Sequence, residues 1–236
     1  MKPISVWYHT ILYRGHNPAD PRFSQKQIDP DWSISLMLEQ IETLKSCGLL
    51  DAAKELVVCV NGDAENQIAA RSCAPSKARF IDNGPNSKSI LPTVRALRSW
   101  ALDHQDWLVC FFHIKSVTHA NEPLDYAWRK CMERWVITNW RQCVSDLESG
   151  YDSVGTHWLT PEQHSAAIVP IPIWGGMFYW VKSSFLVELP ELPAHPSNTE
   201  EWWLPERWIG MGRRPKVKDY APHWPGLQQC SVSSQL

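Results

Sequence analysis

The sequence predicts an α/β fold in which a mostly parallel sheet is flanked by helices in a single domain. Strand-like apolar runs alternate with helix-period segments through the first half, the pattern of a parallel sheet covered on its faces. Asp63, Asp82 and His113 each close one of those runs, and strand ends are where such sheets place their ligand crevice. The chain has 236 residues, 44% hydrophobic and 20% charged, which suits one substantial globular domain and argues against disorder.

Ile4 to Leu12 is the first strand-like run. Ile34, Met37, Leu38, Ile41 and Leu44 then recur at helical spacing, with Asp31 or Ser33 placed to cap and Gly48 to stop the helix. "ELVVCVNGD" (Glu55 to Asp63) reads as a buried strand ending in a turn, "ENQIAARSCA" as a short helix, and "ARFIDNG" as a third strand ending at Asp82. Leu91, Val94, Leu97 and Ala101 mark a further helix with Pro92 in its first turn. "WLVCFFH" is the fourth strand and runs straight into His113, Lys115 and His119. Trp128, Met132, Trp135, Val136, Trp140, Val144 and Leu147 predict one long amphipathic helix. "YDSVGTHWL" reads as strand and turn, and "IPIWGGMFYWVKSSFLVEL" as an aromatic strand entered through Gly175 and Gly176 and followed by a short helix. From Pro190 on the periodicity fades, which predicts an irregular tail.

Formal net charge is −2, so no global field favours nucleic acid or an anionic membrane, and an anion must be met by a local cluster. The seven cysteines contain no Cys-x-x-Cys pair, so neither a zinc ribbon nor a thioredoxin-like motif is supported. The N-terminus lacks an apolar leader core and no apolar run reaches the about 18 residues needed to span a bilayer. These features predict a reduced, cytoplasmic, soluble protein. The 14 tryptophans are unusual. Tryptophan builds cores, and it also stacks on sugar rings.

The order of pieces resembles a glycosyltransferase of the GT-A type, a Rossmann-like nucleotide-sugar-binding fold. "ELVVCVNGDAEN" resembles the nucleotide-contacting turn, "WGGMFYWVKSSFLVELPEL" the acceptor segment, and "TEEWWLPERWIG" the acidic segment that carries a general base. A closer resemblance is to a bacterial branch with an "HTKG…WR…GNFWW…aExWi"-like signature. It is met here by Pro92-Thr93, "FFHIKSVTH", Trp128-Arg129 with Met132, Asn139-Trp140 with Cys143, Tyr151 to Gly155, "GGMFYWVKSSFL", and Glu206 with Trp208-Ile209. Ile114, Ser116 and Gly176 depart from that signature, standing where it has Thr, Gly and Asn. The resemblance implies a GT-A-like domain over 1–226, with a nucleotide-binding half to about 115, an acceptor half from 116, and a flexible tail over 227–236.

The implied activity is transfer of a sugar, of the hexosyl type, from a nucleotide-sugar donor to a glycan or other hydroxyl acceptor, as in polysaccharide biosynthesis. That chemistry needs charge to stabilise the leaving diphosphate, a carboxylate to take the acceptor's proton, and surfaces to position the sugar. The Asp-x-Asp that holds a metal in this fold is not found after the fourth strand. His113 and Lys115 stand in its place, and a Lys ammonium can neutralise a phosphate directly. The expected transferase is therefore metal-independent, with no cofactor predicted. Mn²⁺ or Mg²⁺ would enter only through a carboxylate site not evident in the sequence. Arg129, Arg213 and Arg214 could add positive charge. Glu206 matches the base position of the branch, and Glu200 or Glu201 that of the general layout. Thr10, Asn61, Asp63 and Asp82 at strand ends are expected to meet the nucleoside. Trp174, Gly176, Phe178 and Trp180 are expected to line the sugar or acceptor site. Alternatives remain: Lys115 and His119 as a solvated loop, a transition-metal hydrolase using His113, His119 and His157, or a non-catalytic carbohydrate- or nucleotide-binding protein on a decayed GT-A fold.

Overall fold

The computed structural model describes residues 1–12, 30–84, 89–115, 123–163, 169–194 and 204–222. Glu200, Glu201, His119 and the expected tail lie outside the described residues.

The first half follows the predicted alternation. Strand β1 (Ile4–Ile11) is followed by α1 (Pro30–Ser46), a single turn α2 (Leu49–Ala52), β2 (Glu55–Asn61), α3 (Ala64–Cys73), β3 (Ala78–Asp82), α4 (Leu91–Asp103) and β4 (Leu108–His113). The Asp63 carboxylate caps α3 by accepting from Asn66 N, and Pro92 lies in the first turn of α4. Both are ordinary helix starts. β1 pairs in parallel with β2 on one side and β4 on the other. Chain order therefore runs outward to β3 and then returns to the far side of β1, which makes the β1/β4 boundary the switch point of the sheet.

The second half adds β5 (Ser153–Gly155), β8 (Tyr179–Lys182) and β9 (Val217–Asp219), completing one sheet of seven strands in the order β3-β2-β1-β4-β8-β5-β9. β8 is antiparallel to both β4 and β5, and β9 pairs in parallel with β5. β9 corrects the expectation of an irregular tail. A small hairpin of β6 (Trp158–Leu159) and β7 (Ile173–Trp174) stands beside the sheet.

Alternation divides the core into two layers. Ile4, Val6 and Tyr8 of β1 join Met37, Ile41 and Leu44 of α1 on one face, while Trp7 joins Leu91, Val94 and Leu97 of α4 on the other. The long helix predicted over 128–147 is instead α5 (Pro123–Met132), a π-helical stretch (Glu133–Thr138) and α6 (Trp140–Glu148). Widening the helix frees carbonyls, and side chains meet them. The Val136 carbonyl accepts from Trp180 Nε1 at 2.7 Å, that of Trp135 from Cys143 Sγ at 3.3 Å, and that of Ile137 from Cys47 Sγ at 3.6 Å. The last elements are α7 (Ser183–Glu188) and α8 (Leu204–Arg207), which leads into a 3₁₀ turn (Trp208–Gly210). No helix among the described residues is long and apolar enough to cross a membrane.

Candidate active site

The carboxyl ends of β1 and β4 meet at the switch point, where His9 and His113 are register partners. His9 is fully buried among the ends of β1, β2 and β4, and its Nδ1 lies 2.7 Å from Thr93 Oγ1. A directed chain of bonds reaches that hydroxyl. Asn61 Nδ2 donates to the Ser89 carbonyl at 3.0 Å, so its Oδ1 is the acceptor for Asn83 Nδ2 at 2.8 Å, and Asn83 Nδ2 also donates to Thr93 Oγ1 at 2.9 Å. Burial pushes His9 down to about 3, helped by His113, so the ring is neutral. His113 is likewise lowered to about 3, by burial first and then by the nearby Lys115 cation. Its Nε2 sits 2.9 Å from the Gly176 carbonyl. That carbonyl can only accept, so the neutral ring carries its proton on Nε2. His113 brings no positive charge to the crevice, whereas Lys115, two residues on, is a cation.

A tight turn after β4 sets Lys115. Ile114 N continues the ladder to the His9 carbonyl at 3.0 Å, and Lys115 N folds back to the His113 carbonyl at 2.8 Å. Ile114 is buried in the α1-side core, so Lys115 takes the other direction. Its ammonium stands 4.2 Å from the centre of the Trp128 ring, a cation–π contact. Trp128 Nε1 in turn donates to His157 Nδ1 at 3.2 Å.

The turn facing Trp128 is unusual in its backbone. His157 and Met177 have φ of 63° and 54°, and Gly176 between Trp174 and Phe178 has φ of 83°. Two of these are side-chain-bearing residues in the left-handed region, where conformational cost is tolerated only when the surroundings enforce it. The Asp219 carboxylate does so for His157, accepting from His157 N at 2.9 Å and Trp158 N at 2.8 Å. A Cβ on Gly176 would come within 2.6 Å of Met132 Sδ and 3.2 Å of Trp128 Cζ2, so glycine is required there by space as well as by φ.

Glu206 approaches from α8, which packs on β7 and is anchored by the buried Pro205, Trp208 and Ile209. Trp208 Nε1 donates to the Pro190 carbonyl at 2.9 Å. The Glu206 carboxyl is pushed up by burial, against the opposing pull of Lys115 and then Arg207. Residues 115 and 206, far apart in sequence, thus act on each other electrostatically.

Other expected residues have different surroundings. Arg129 is fully buried, its guanidinium 2.7 Å from Glu133 and 3.1 Å from Glu39, and Lys130 also pairs with Glu39. Gln40 extends this cluster by donating to Glu133 at 3.0 Å and accepting from Tyr8 Oη at 2.7 Å. Arg129 is therefore an internal clamp between α1 and α5, not an open anion site. Arg213 grips Asp152 through two bonds of 2.8 and 2.9 Å at the far sheet edge and also meets Glu188. Trp174, Phe178 and Trp180 are buried in the two core layers, and none presents a ring face to a sugar; Trp174 Nε1 donates to Ser153 Oγ at 2.9 Å. Thr10 is buried, with Oγ1 3.4 Å from the Cys59 carbonyl. Asp63 and Asp82 remain exposed at the rim, although Asp82 also holds Gln67 Nε2 at 2.8 Å and Gly84 N at 2.7 Å. Among the described residues no group of three or more His, Cys, Asp or Glu side chains is arranged to hold a metal ion. His9, Asn83 and Asp219 were not foreseen. Only the place of His9 at a strand end, in an otherwise apolar run, could have signalled one of them.

No protein-family model and no curated protein matches the chain. Among solved structures, it is similar to a Desulfovibrio desulfuricans G20 protein designated a nucleotide-diphospho-sugar transferase, at 11% identity and a TM-score of 0.42, over 94% of this chain and 80% of that one. It is also similar to the Mycobacterium tuberculosis glucosyl-3-phosphoglycerate synthase, at 16% identity and a TM-score of 0.41, over 99% of this chain and 80% of that one. A further mycobacterial protein aligns at 16% identity and a TM-score of 0.41 over 80% of this chain. The chain spans 56% of the length of that protein.

Proposed function

We propose that the chain is a glycosyltransferase that moves a sugar from a nucleotide-sugar donor to a hydroxyl acceptor, with Glu206 as base and Lys115 as the cation facing the donor diphosphate. The observation that carries this reading is a Lys115 cation at the end of β4, beside the sheet's switch point, that acts electrostatically on a Glu206 carboxyl raised by burial. Ligands of such sheets bind outside the carboxyl ends of the strands. A base works best when its pKa is lifted toward the operating pH, and burial lifts that of Glu206.

In the proposed step the acceptor oxygen forms its bond to the anomeric carbon as the bond from that carbon to the diphosphate breaks. The bonding pair leaves on the phosphate oxygen, next to the Lys115 ammonium, and Glu206 takes the acceptor's proton. His113 presents a neutral imidazole bonded to the Gly176 carbonyl, which ties the strand end to the turn below the acceptor. Asp63 and Asp82 at the rim are the proposed contacts of the nucleoside. Glu201 remains a second candidate base.

The test is turnover of a panel of nucleotide-sugars, with and without Mn²⁺, by the wild type, Glu206→Gln and Lys115→Ala. Transfer or slow donor hydrolysis that is lost in both variants supports the reading, and activity unchanged in both refutes the assignment of the site. A second reading is a non-catalytic carbohydrate- or nucleotide-binding protein, favoured by the lack of an Asp-x-Asp after β4. Binding of a donor without any turnover would select it.

A further inference from the structure

The geometry points to Trp128 as a positioning residue, one that fixes the Lys115 ammonium at the end of the turn after β4 without itself touching the reacting groups. The inference rests on the transferase reading for its purpose, but its geometry stands apart from it. Lysine carries its charge on a flexible four-carbon stem, so the place of its ammonium depends on what the stem and head touch. Here the ammonium lies 4.2 Å from the Trp128 ring centre. The ring cannot rotate freely, because its N–H is bonded to His157 Nδ1 at 3.2 Å and its Cζ2 lies close over Gly176, where no Cβ fits. His157 is itself held in a left-handed conformation by the two bonds to Asp219. The order of support is therefore Asp219, His157, Trp128, Lys115, reaching from the last strand of the sheet to the loop after β4.

This arrangement accounts for three features that packing alone leaves unrelated: the positive φ of His157, the need for glycine at 176, and a tryptophan edge bonded to a buried histidine.

The titration of the Glu206 carboxyl, followed by carbon-detected NMR and assigned with Glu206→Gln, reads the position of the Lys115 charge without any substrate. The other cation acting on that carboxyl, Arg207, is unchanged in every variant. Lys115→Met should raise the Glu206 pKa by roughly half to one pH unit, the effect of removing a unit charge at the protein surface. Trp128→Leu, which removes the ring, should raise it by nearly as much although Lys115 is still present. Trp128→Phe, which keeps a ring face but loses the bond to His157, should fall between and also covers the case in which Trp128→Leu fails to fold. If Lys115→Met raises the pKa but both Trp128 variants titrate as the wild type does, Trp128 only fills space and the inference is overturned. If Lys115→Met leaves the pKa unchanged, there is no charge to position and it is overturned as well. An inactive wild type that nevertheless shows the predicted shifts would remove the transferase reading and leave the positioning intact.

Discussion

His9 and His113 stand side by side across the β1/β4 ladder, and both are held neutral by burial to about 3. Two adjacent rings that resist protonation make the switch point sensitive to acid. In the unfolded chain each titrates near the ordinary histidine value of about 6.5. Between that value and about 3 the unfolded state binds protons that the folded state refuses, so stability falls as pH falls through this window. Each histidine contributes a slope of up to about 1.4 kcal/mol per pH unit there. His157, lowered to about 4 by burial, adds in the same direction. Urea unfolding between pH 7 and 4 should therefore show proton uptake on unfolding. His9→Gln should reduce that uptake by about one proton, whatever it does to stability at neutral pH.

Gly176→Ala should destabilise the fold by about 1–3 kcal/mol, from a left-handed φ and crowding against Met132 and Trp128. Thermal melting measures it. Because Met132 has a flexible end that can yield, Met132→Ala in the same chain should recover part of the loss, whereas a purely backbone cost would not respond.

Arg129→Met should cost about 3–5 kcal/mol, since it removes the buried guanidinium shared by Glu133 and Glu39 and leaves Glu133 to Lys130 and Gln40. Adding Glu133→Gln should return part of the loss, because the under-compensated buried charge is then gone. Denaturant titration of the two single variants and the double variant checks this. Donor binding that survives in the double variant would agree with Arg129 as an internal clamp; specific loss of donor affinity with stability unchanged would assign it to the site instead.

Trp180→Phe should lose about 1–3 kcal/mol by leaving the Val136 carbonyl of the π-helical stretch without its donor. Ligand stabilisation in a thermal-shift series should be unaffected, because the ring lies wholly inside the core.

Much of the first half was legible because its signals are local. "LVCFFH" shows an apolar strand ending at His113, and the Asp63 cap and Pro92 mark helix starts on either side. The second half depended on partners that no local pattern names. Phe178 and Trp180 read as available to a sugar because strand alternation ordinarily exposes one face. β8 lies between β4 and β5, however, with helices covering both sides, so neither set of side chains reaches solvent. The π-helical stretch was hidden because Trp128, Met132, Val136 and Trp140 recur every four residues, which a helical pattern tolerates and a widened turn also satisfies. Glu206 and Lys115 were each visible as candidates through the family resemblance. Their electrostatic coupling was not, since it depends on α8 packing against β7 and on the turn around Ile114. Arg129 could have been anticipated as a clamp from Glu133 at i+4, but Glu39, 90 residues earlier, could not.

The central claim is that Glu206 takes a proton in a sugar transfer assisted by Lys115. The measurement that tests it most directly is turnover of a nucleotide-sugar panel by the wild type and Glu206→Gln at matched folding and donor affinity. One donor class should turn over in the wild type, and Glu206→Gln should slow it by about 10²–10⁴-fold, the usual contribution of a positioned base. Equal rates in the two proteins, or no turnover of any donor with or without Mn²⁺, would contradict it.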